Sequence, residues 1–213
     1  MATQETLFAA ADLFQIGAMA LDYPTEPVAE GFANGTLMTD VQACLAEMGV
    51  DGDIVAAGSE SPDPKTIWEA LKVEHSRLFA NVRNPVIWIY ETVFCRPEGE
   101  EDSAMLFVSP DCLHVEESMK RAGVELAADN RQPADYLPTE LQFLSYLCNA
   151  EAEGKLEVVS TGALDGFMAM HLDRWLPAFM DALQRETVMD EYRQLAAALT
   201  AGYRCLAFAR KTT

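Results

Sequence analysis

The chain has 213 residues, half of them hydrophobic, and its 34 acidic and 15 basic side chains give a formal net charge of −19. That length suits one large globular domain or two small ones, and the composition excludes disordered and fibrous proteins. The acidity opposes binding to nucleic acid or anionic membranes and favours a cationic partner, although acidity also serves solubility alone. No apolar run is long enough to cross a bilayer.

The cysteines and the N-terminal region indicate in which cellular compartment the protein resides. The five cysteines are widely spaced and form no Cys-x-x-Cys pair, so we expect reduced thiols and no structural zinc site. The first basic residue is Lys65, so the basic start of a secretory signal is missing. Both observations predict a cytoplasmic protein that does not insert into a membrane.

Apolar residues recur at helical spacing along most of the chain. The pattern predicts helices over 5–23, 39–48, 64–79, 111–126 and 136–152, then two further apolar stripes over 164–183 and 192–206. Loops are predicted over 49–63, 96–103 and 127–133, and residues 81–94 are predicted to be extended before they re-enter a helix.

No series of alternating strands accompanies these helices. We therefore predict an all-α fold, a single globular bundle of about eight to ten helices. One domain is expected to cover residues 1–213, with a hinge near 127–138.

Motifs that carry catalysis are missing from the sequence. It has no glycine-rich phosphate loop, no G-x-S-x-G turn and no H-E-x-x-H helix. His75 and His171 fall on apolar helical stripes, where a histidine is more typical of a hydrogen-bonded core than of a reaction centre. We therefore predict a binding protein with no catalytic residues and no metal site.

Three segments, taken in order, resemble the TorD/DmsD/NarJ family of chaperones for molybdenum-containing redox enzymes. Residues 71–94, LKVEHSRLFANVRNPVIWIYETVF, resemble the family's E-x-x-R-L-F segment with the proline-bearing loop and aromatic run that follow it. Residues 132–147, QPADYLPTELQFLSYL, resemble its E-P-x-D-H motif and the next helix, with Gln132 and Tyr136 in place of Glu and His. Residues 167–183, FMAMHLDRWLPAFMDAL, resemble its H-L-x-x-W-x-P-x-F helix.

The resemblance implies a cytoplasmic, all-helical chaperone without catalytic activity. Its implied partner is the twin-arginine signal peptide, or the apo form, of a molybdopterin-dependent oxidoreductase subunit, held until cofactor insertion and export. It implies a monomer or a domain-swapped dimer and no resident cofactor, with GTP as the one nucleotide to consider. Two alternatives stay open: an adaptor that binds a folded oxidoreductase subunit, and a GTP-dependent maturation factor.

A receptor for a twin-arginine peptide should offer carboxylates beside an apolar or aromatic groove. The family-like segments supply the following candidate peptide-binding residues: Trp88, Tyr90, Glu91, Pro133, Asp135, Tyr136 and Glu140. Our hypothesis is that Asp135 and Glu91 pair with the two arginines. The aromatic side chains among the candidates would line the groove.

Structural roles are open alternatives for several of these residues. Asp135 is well placed to cap a helix that begins at the next residue. Trp88 could instead pack in the core, and Glu140 could serve the helix dipole. We expect His171 and Trp175 to be core residues because both lie on an apolar stripe.

Overall fold

The computed structural model describes residues 2–50, 63–80, 85–96, 108–155 and 162–211. The helices are α1 Gln4–Leu21, α2 Glu26–Ala33, α3 Thr36–Glu47, α4 Pro64–Phe79, α5 Glu91–Phe94, α6 Pro110–Arg121, α7 Leu137–Ala152, α8 Ala163–Phe167, α9 Asp173–Glu186 and α10 Asp190–Lys211. A π-helical turn, Met168–Leu172, joins α8 to α9. No strand occurs in this part of the chain, so the all-α prediction is confirmed, and the number of helices falls within the predicted range.

Helix α1 lies at the centre of the packing. It runs against α7 along most of its length and also contacts α3 and α10. The two central helices are antiparallel: Tyr136, just before α7, donates to Asp22, just after α1, and Gln4 at the start of α1 donates to the Ala152 carbonyl at the end of α7. The end of α1 is therefore fixed beside the start of α7.

The core is continuous and largely aliphatic and aromatic. Its largest fully buried side chains include Phe14, Trp175, Phe179 and Tyr192. Full burial of a phenylalanine such as Phe14 or Phe179 stabilises the fold by about 1.5–3 kcal/mol relative to an exposed one. None of the described helices is both long enough and apolar enough to span a bilayer.

Helix α4 has the bounds that the sequence predicts. Asp63 accepts from the Thr66 backbone N–H, and Pro64 occupies the first turn, where a missing N–H costs nothing. Near its other end, buried Glu74 accepts from Arg77, from the Thr187 hydroxyl and from the Val188 N–H. This one carboxylate therefore ties α4 to the chain that leads into α10.

Other boundaries differ from the prediction. Helix α6 ends at Arg121 and not at residue 126, because Gly123 adopts a φ of 78° and its N–H bonds to the Lys120 carbonyl. Helix α2, which the sequence analysis missed, is short and contains both Pro27 and Gly31. The loops predicted over 49–63 and 96–103 and the extended segment over 81–94 lie partly outside the described residues.

Candidate functional site

The first two family-like segments meet in space. The backbones of Tyr90 and Tyr136 form an isolated antiparallel bridge. The Glu91 N–H donates to the Asp135 carbonyl at 3.0 Å, and the Leu137 N–H donates to the Ile89 carbonyl at 3.1 Å. We call this pairing of residues 89–91 with residues 135–137 the 90–136 joint. Four of the seven candidate peptide-binding residues are members of the joint, and the other three, Trp88, Pro133 and Glu140, lie within three residues of it along the chain.

Asp135 acts as a cap, but for a different helix from the one expected. Helix α7 has Tyr136 at its N-cap position and no side-chain cap bond. The Asp135 carboxylate instead accepts from the Thr92 N–H at 3.0 Å, in the first turn of α5. Burial raises the pKa of Asp135, and the bonds from Thr92 counter that rise. Asp135 therefore holds the first turn of α5 through a hydrogen bond across the joint. The prediction that it caps α7, the helix that follows it in sequence, is wrong.

Pro133 is buried in the turn that precedes the joint. Its carbonyl accepts from the Tyr136 N–H at 3.2 Å, which closes the turn over residues 133–136. Gln132, at the edge of this turn, accepts from the Tyr90 hydroxyl at 3.1 Å. The turn is therefore linked to the opposite segment by side chains as well as by backbone.

Glu91 lies fully buried beneath the joint and is already paired. One of its oxygens lies 2.7 Å from His171 Nδ1, and the other accepts from Arg174 at 2.8 Å. Arg174 reaches on to Asp111 at 2.8 Å. Since His171 belongs to the π-helical turn, this wider turn is the element that carries the imidazole to Glu91.

Glu140 is the second fully buried glutamate of the cluster. Its carboxyl accepts from Trp175 Nε1 at 3.1 Å. Burial raises the pKa of Glu140 well above its ordinary value, and the neighbouring charges of Glu91 and Asp135 raise it further. These effects favour the protonated carboxyl, so Glu140 is unsuited to an electrostatic role at the helix terminus, although it lies in the first turn of α7.

The same cluster contains the described residues that come nearest to a metal-binding set. Glu91, Glu140 and His171 each place one potential ligand atom within 4.8 Å of the others. In this arrangement His171 and Arg174 occupy both oxygens of Glu91, and Glu140 favours its protonated form. A cation there would therefore compete with Arg174 for Glu91 and with the proton that Glu140 favours.

The aromatic candidates differ in accessibility. Tyr136 is buried, whereas Trp88 and Tyr90 are half-buried. The rings of Tyr90 and Tyr136 lie 5.5 Å apart between centroids, a distance typical of contacting aromatic pairs. The Glu91 and Asp135 carboxylates lie beneath this surface, so direct pairing with a peptide's arginines would require the joint to open. That pairing stays a prediction.

Comparison with known proteins supplies the family. Residues 35–181 match the family model described as nitrate reductase delta subunit. The chain belongs to this family. Its members are assembly chaperones of the NarJ/TorD type and not enzymes, so the predicted family and the predicted lack of catalysis are both confirmed.

One curated relative is similar to part of this chain. It is the chlorate reductase assembly chaperone protein of Ideonella dechloratans, 36% identical over 74 residues. The match covers 32% of this chain and 38% of the relative, so it spans well under half the length of either protein. No solved structure is significantly similar to the chain.

Two residues of this delta-subunit family member escaped the sequence analysis. Arg174 lies within the third family-like segment, but no spacing rule links it to Glu91. Asp22 lies before the matched region and accepts from the Tyr136 hydroxyl at 3.0 Å. Only the antiparallel packing of α1 on α7 brings Asp22 to the joint, and the local pattern of the sequence carries no such signal. By contrast, His171 and Trp175 are buried in the core, as predicted.

Proposed function

We propose that this chain binds the twin-arginine signal peptide, or the apo form, of a molybdenum-containing oxidoreductase subunit and holds it until the cofactor is inserted. The observation that carries the proposal is the 90–136 joint. It joins two family-like segments distant in sequence and leaves Trp88 and Tyr90 half-buried at the surface. Half-buried aromatic side chains beside carboxylates suit a peptide that combines arginines with an apolar stretch.

Electrostatics supports a basic ligand. The net charge of −19 attracts a cationic segment over long range. The name of the chlorate reductase assembly chaperone is consistent with an oxidoreductase as the client. We propose a cytoplasmic site of action, because a signal peptide must be bound before export. We also propose that one domain covers residues 1–213, with a hinge near 127–138. Such a hinge would allow either a monomer or a domain-swapped dimer.

The test is a calorimetric titration with signal peptides from the molybdoenzymes of the same organism. Each peptide is paired with a version in which both arginines are lysines. We expect saturable binding that weakens with the lysine version, because lysine lacks the planar, bidentate guanidinium. The double variant Trp88→Ala/Tyr90→Ala should lose about tenfold or more in affinity, as expected for central aromatic contacts.

Phe208→Ala is the matched control, since this aromatic residue is 73% exposed. It lies near Arg210, which pairs with Glu151 at the far end of α7, roughly 20 Å along the helix from the joint. Binding of the folded, mature subunit but of neither a signal peptide nor the apo-subunit would favour the adaptor alternative. We expect no GTP binding, because the phosphates would meet a surface of like charge, and the same titration with GTP checks this.

A further inference from the structure

Asp22 is an exposed carboxylate beside the 90–136 joint. It is the C-cap residue of α1, and the Tyr136 hydroxyl and the Tyr23 N–H both donate to its Oδ1 atom, at 3.0 and 2.7 Å. In the part of the chain that the structure describes, no basic side chain forms an ion pair with Asp22. The carboxylate is therefore oriented by two neutral donors, and none of the described basic side chains pairs with its charge.

Two pairs of rings adjoin Asp22 through its hydrogen-bond donors. Tyr136 packs against Tyr90, and the ring of Tyr23 packs edge-on against His75, with 5.5 Å between centroids in both pairs. Tyr23 is 56% exposed. Burial raises the pKa of Tyr90 and of Tyr136, and the charge of Asp22 adds to both shifts. Both tyrosines therefore lie within the electrostatic reach of Asp22.

Asp22 differs from the buried acids of the joint in its accessibility. Glu91 and Asp135 are fully buried and already accept hydrogen bonds, whereas Asp22 is exposed. We propose that Asp22, with the rings of Tyr23 and Tyr90, forms a subsite for an arginine of the bound basic peptide. An arginine there can bond to the carboxylate and stack on an aromatic ring, which a lysine ammonium does less well. This inference rests on the proposed function and deepens it.

The test measures the ratio of affinities for the arginine and lysine versions of one signal peptide, in wild type and in Asp22→Asn. The asparagine keeps an oxygen that accepts from Tyr136 and Tyr23, so we expect an unchanged fold, which circular dichroism checks. Affinity for the arginine peptide should fall about fivefold, the upper end for an exposed ion pair. Affinity for the lysine peptide should fall less, so the ratio should approach one.

Two further variants separate local from general effects. Asp12→Asn removes the same charge from an exposed position on α1, ten residues earlier, and should leave the ratio unchanged. Tyr136→Phe removes the donor that orients the carboxylate and should reduce the ratio without abolishing it. If wild type prefers arginine and Asp22→Asn keeps that preference, the subsite is wrong and the proposed function stands. If wild type binds no signal peptide, the subsite and the signal-peptide part of the proposed function both fail, and only binding of the apo-subunit would then support the proposed function.

Discussion

Three acidic side chains are fully buried around the 90–136 joint, and each has a different means of tolerating burial. Glu91 is paired with Arg174 and His171, and Asp135 accepts from the start of α5. Glu140 receives one bond from Trp175 and has no basic partner among the described residues. An unpaired buried carboxylate is so costly that a carboxyl in this position takes up a proton instead.

The raised pKa of Glu140 predicts a specific pH dependence of stability. Between the unfolded-state pKa of about 4.3 and the higher folded-state pKa, the folded protein binds more protons than the unfolded chain. The free energy of unfolding therefore falls as pH rises through this window, by up to about 1.4 kcal/mol per pH unit from this group. In Glu140→Gln the side chain is neutral at every pH. The free energy of unfolding of this variant, measured with urea, should therefore fall less steeply with rising pH than that of wild type between pH 5 and 8.

Glu74→Gln is the matched control for that experiment. Burial raises the pKa of Glu74, but the bonds from Arg77, Val188 and Thr187 outweigh it and the pKa is lowered. Its contribution to stability is present above the unfolded-state pKa and is lost as pH falls through the folded-state pKa. Glu74→Gln should therefore destabilise the protein at pH 7, by about 2 kcal/mol. Identical pH profiles for Glu140→Gln and wild type would show that Glu140 is ionised.

Burial of single residues could be predicted where the helical pattern is strong. Trp175 and His171 lie on an apolar stripe, and both are core residues. The partners of the buried acids could not be predicted in this way. Asp135 was expected to cap the helix next to it, yet its carboxylate accepts from Thr92, a residue 43 positions earlier. A local pattern identifies a capping residue type but not which helix terminus comes within its reach.

Among the helices, α1 and α10 approach each other closely through glycines. A Cβ added at Gly17 would lie 2.7 Å from Leu199 Cδ2, and one added at Gly202 would collide with Leu13 Cδ2. Leu13 and Leu199 are both fully buried. Because protein interiors are close-packed, a rotation of either leucine would displace neighbouring side chains, so we expect the contact to depend on a hydrogen atom at both glycine positions.

Gly202→Ala should accordingly lower the free energy of unfolding by about 1–3 kcal/mol through overpacking. Gly166→Ala is the control, because a Cβ there meets no atom within 4 Å and glycine lowers helix stability relative to alanine. We expect that control to be neutral or slightly stabilising. Urea unfolding of both variants against wild type checks the prediction, and equal stabilities would show that α1 and α10 separate at little cost.

Helix bounds follow from the sequence where a capping residue and a proline coincide, as Asp63 and Pro64 do at α4. They do not follow from it where helix-ending residues interrupt a continuing apolar pattern. At α6 an apolar pattern continues past Gly123, but the positive φ of that glycine ends the helix. The π-helical turn was also unforeseen, because an apolar stripe does not distinguish one widened turn from a regular helix.

For the whole molecule, helical periodicity is enough to predict the fold class, and the order of three modest motifs is enough to predict the family. The assembly of the candidate site was only partly predictable. Two segments were identified as belonging to one site, and the backbone bridge between Tyr90 and Tyr136 joins them. The contribution of Asp22 depends on the antiparallel packing of α1 on α7, a long-range arrangement set by the core as a whole.

The net charge of −19 predicts how binding of a basic peptide depends on salt. As ionic strength rises from about 0.01 M to about 1 M, the Debye length falls from roughly 30 Å to roughly 3 Å. The association rate constant for an arginine-bearing signal peptide should fall by about tenfold or more, and the dissociation rate constant should change less. Stopped-flow fluorescence with a labelled peptide measures both rate constants.

An uncharged analogue of the peptide is the control and should associate at a rate that salt barely alters. Asp22→Asn distinguishes long-range attraction by the net charge from the direct contact between Asp22 and an arginine of the peptide. It removes one charge from a net −19 and so should leave the association rate constant nearly unchanged, while the dissociation rate constant rises. A large fall in the association rate with Asp22→Asn would instead mean that a single local charge directs the encounter. In that case the acidity elsewhere on the surface would serve solubility alone.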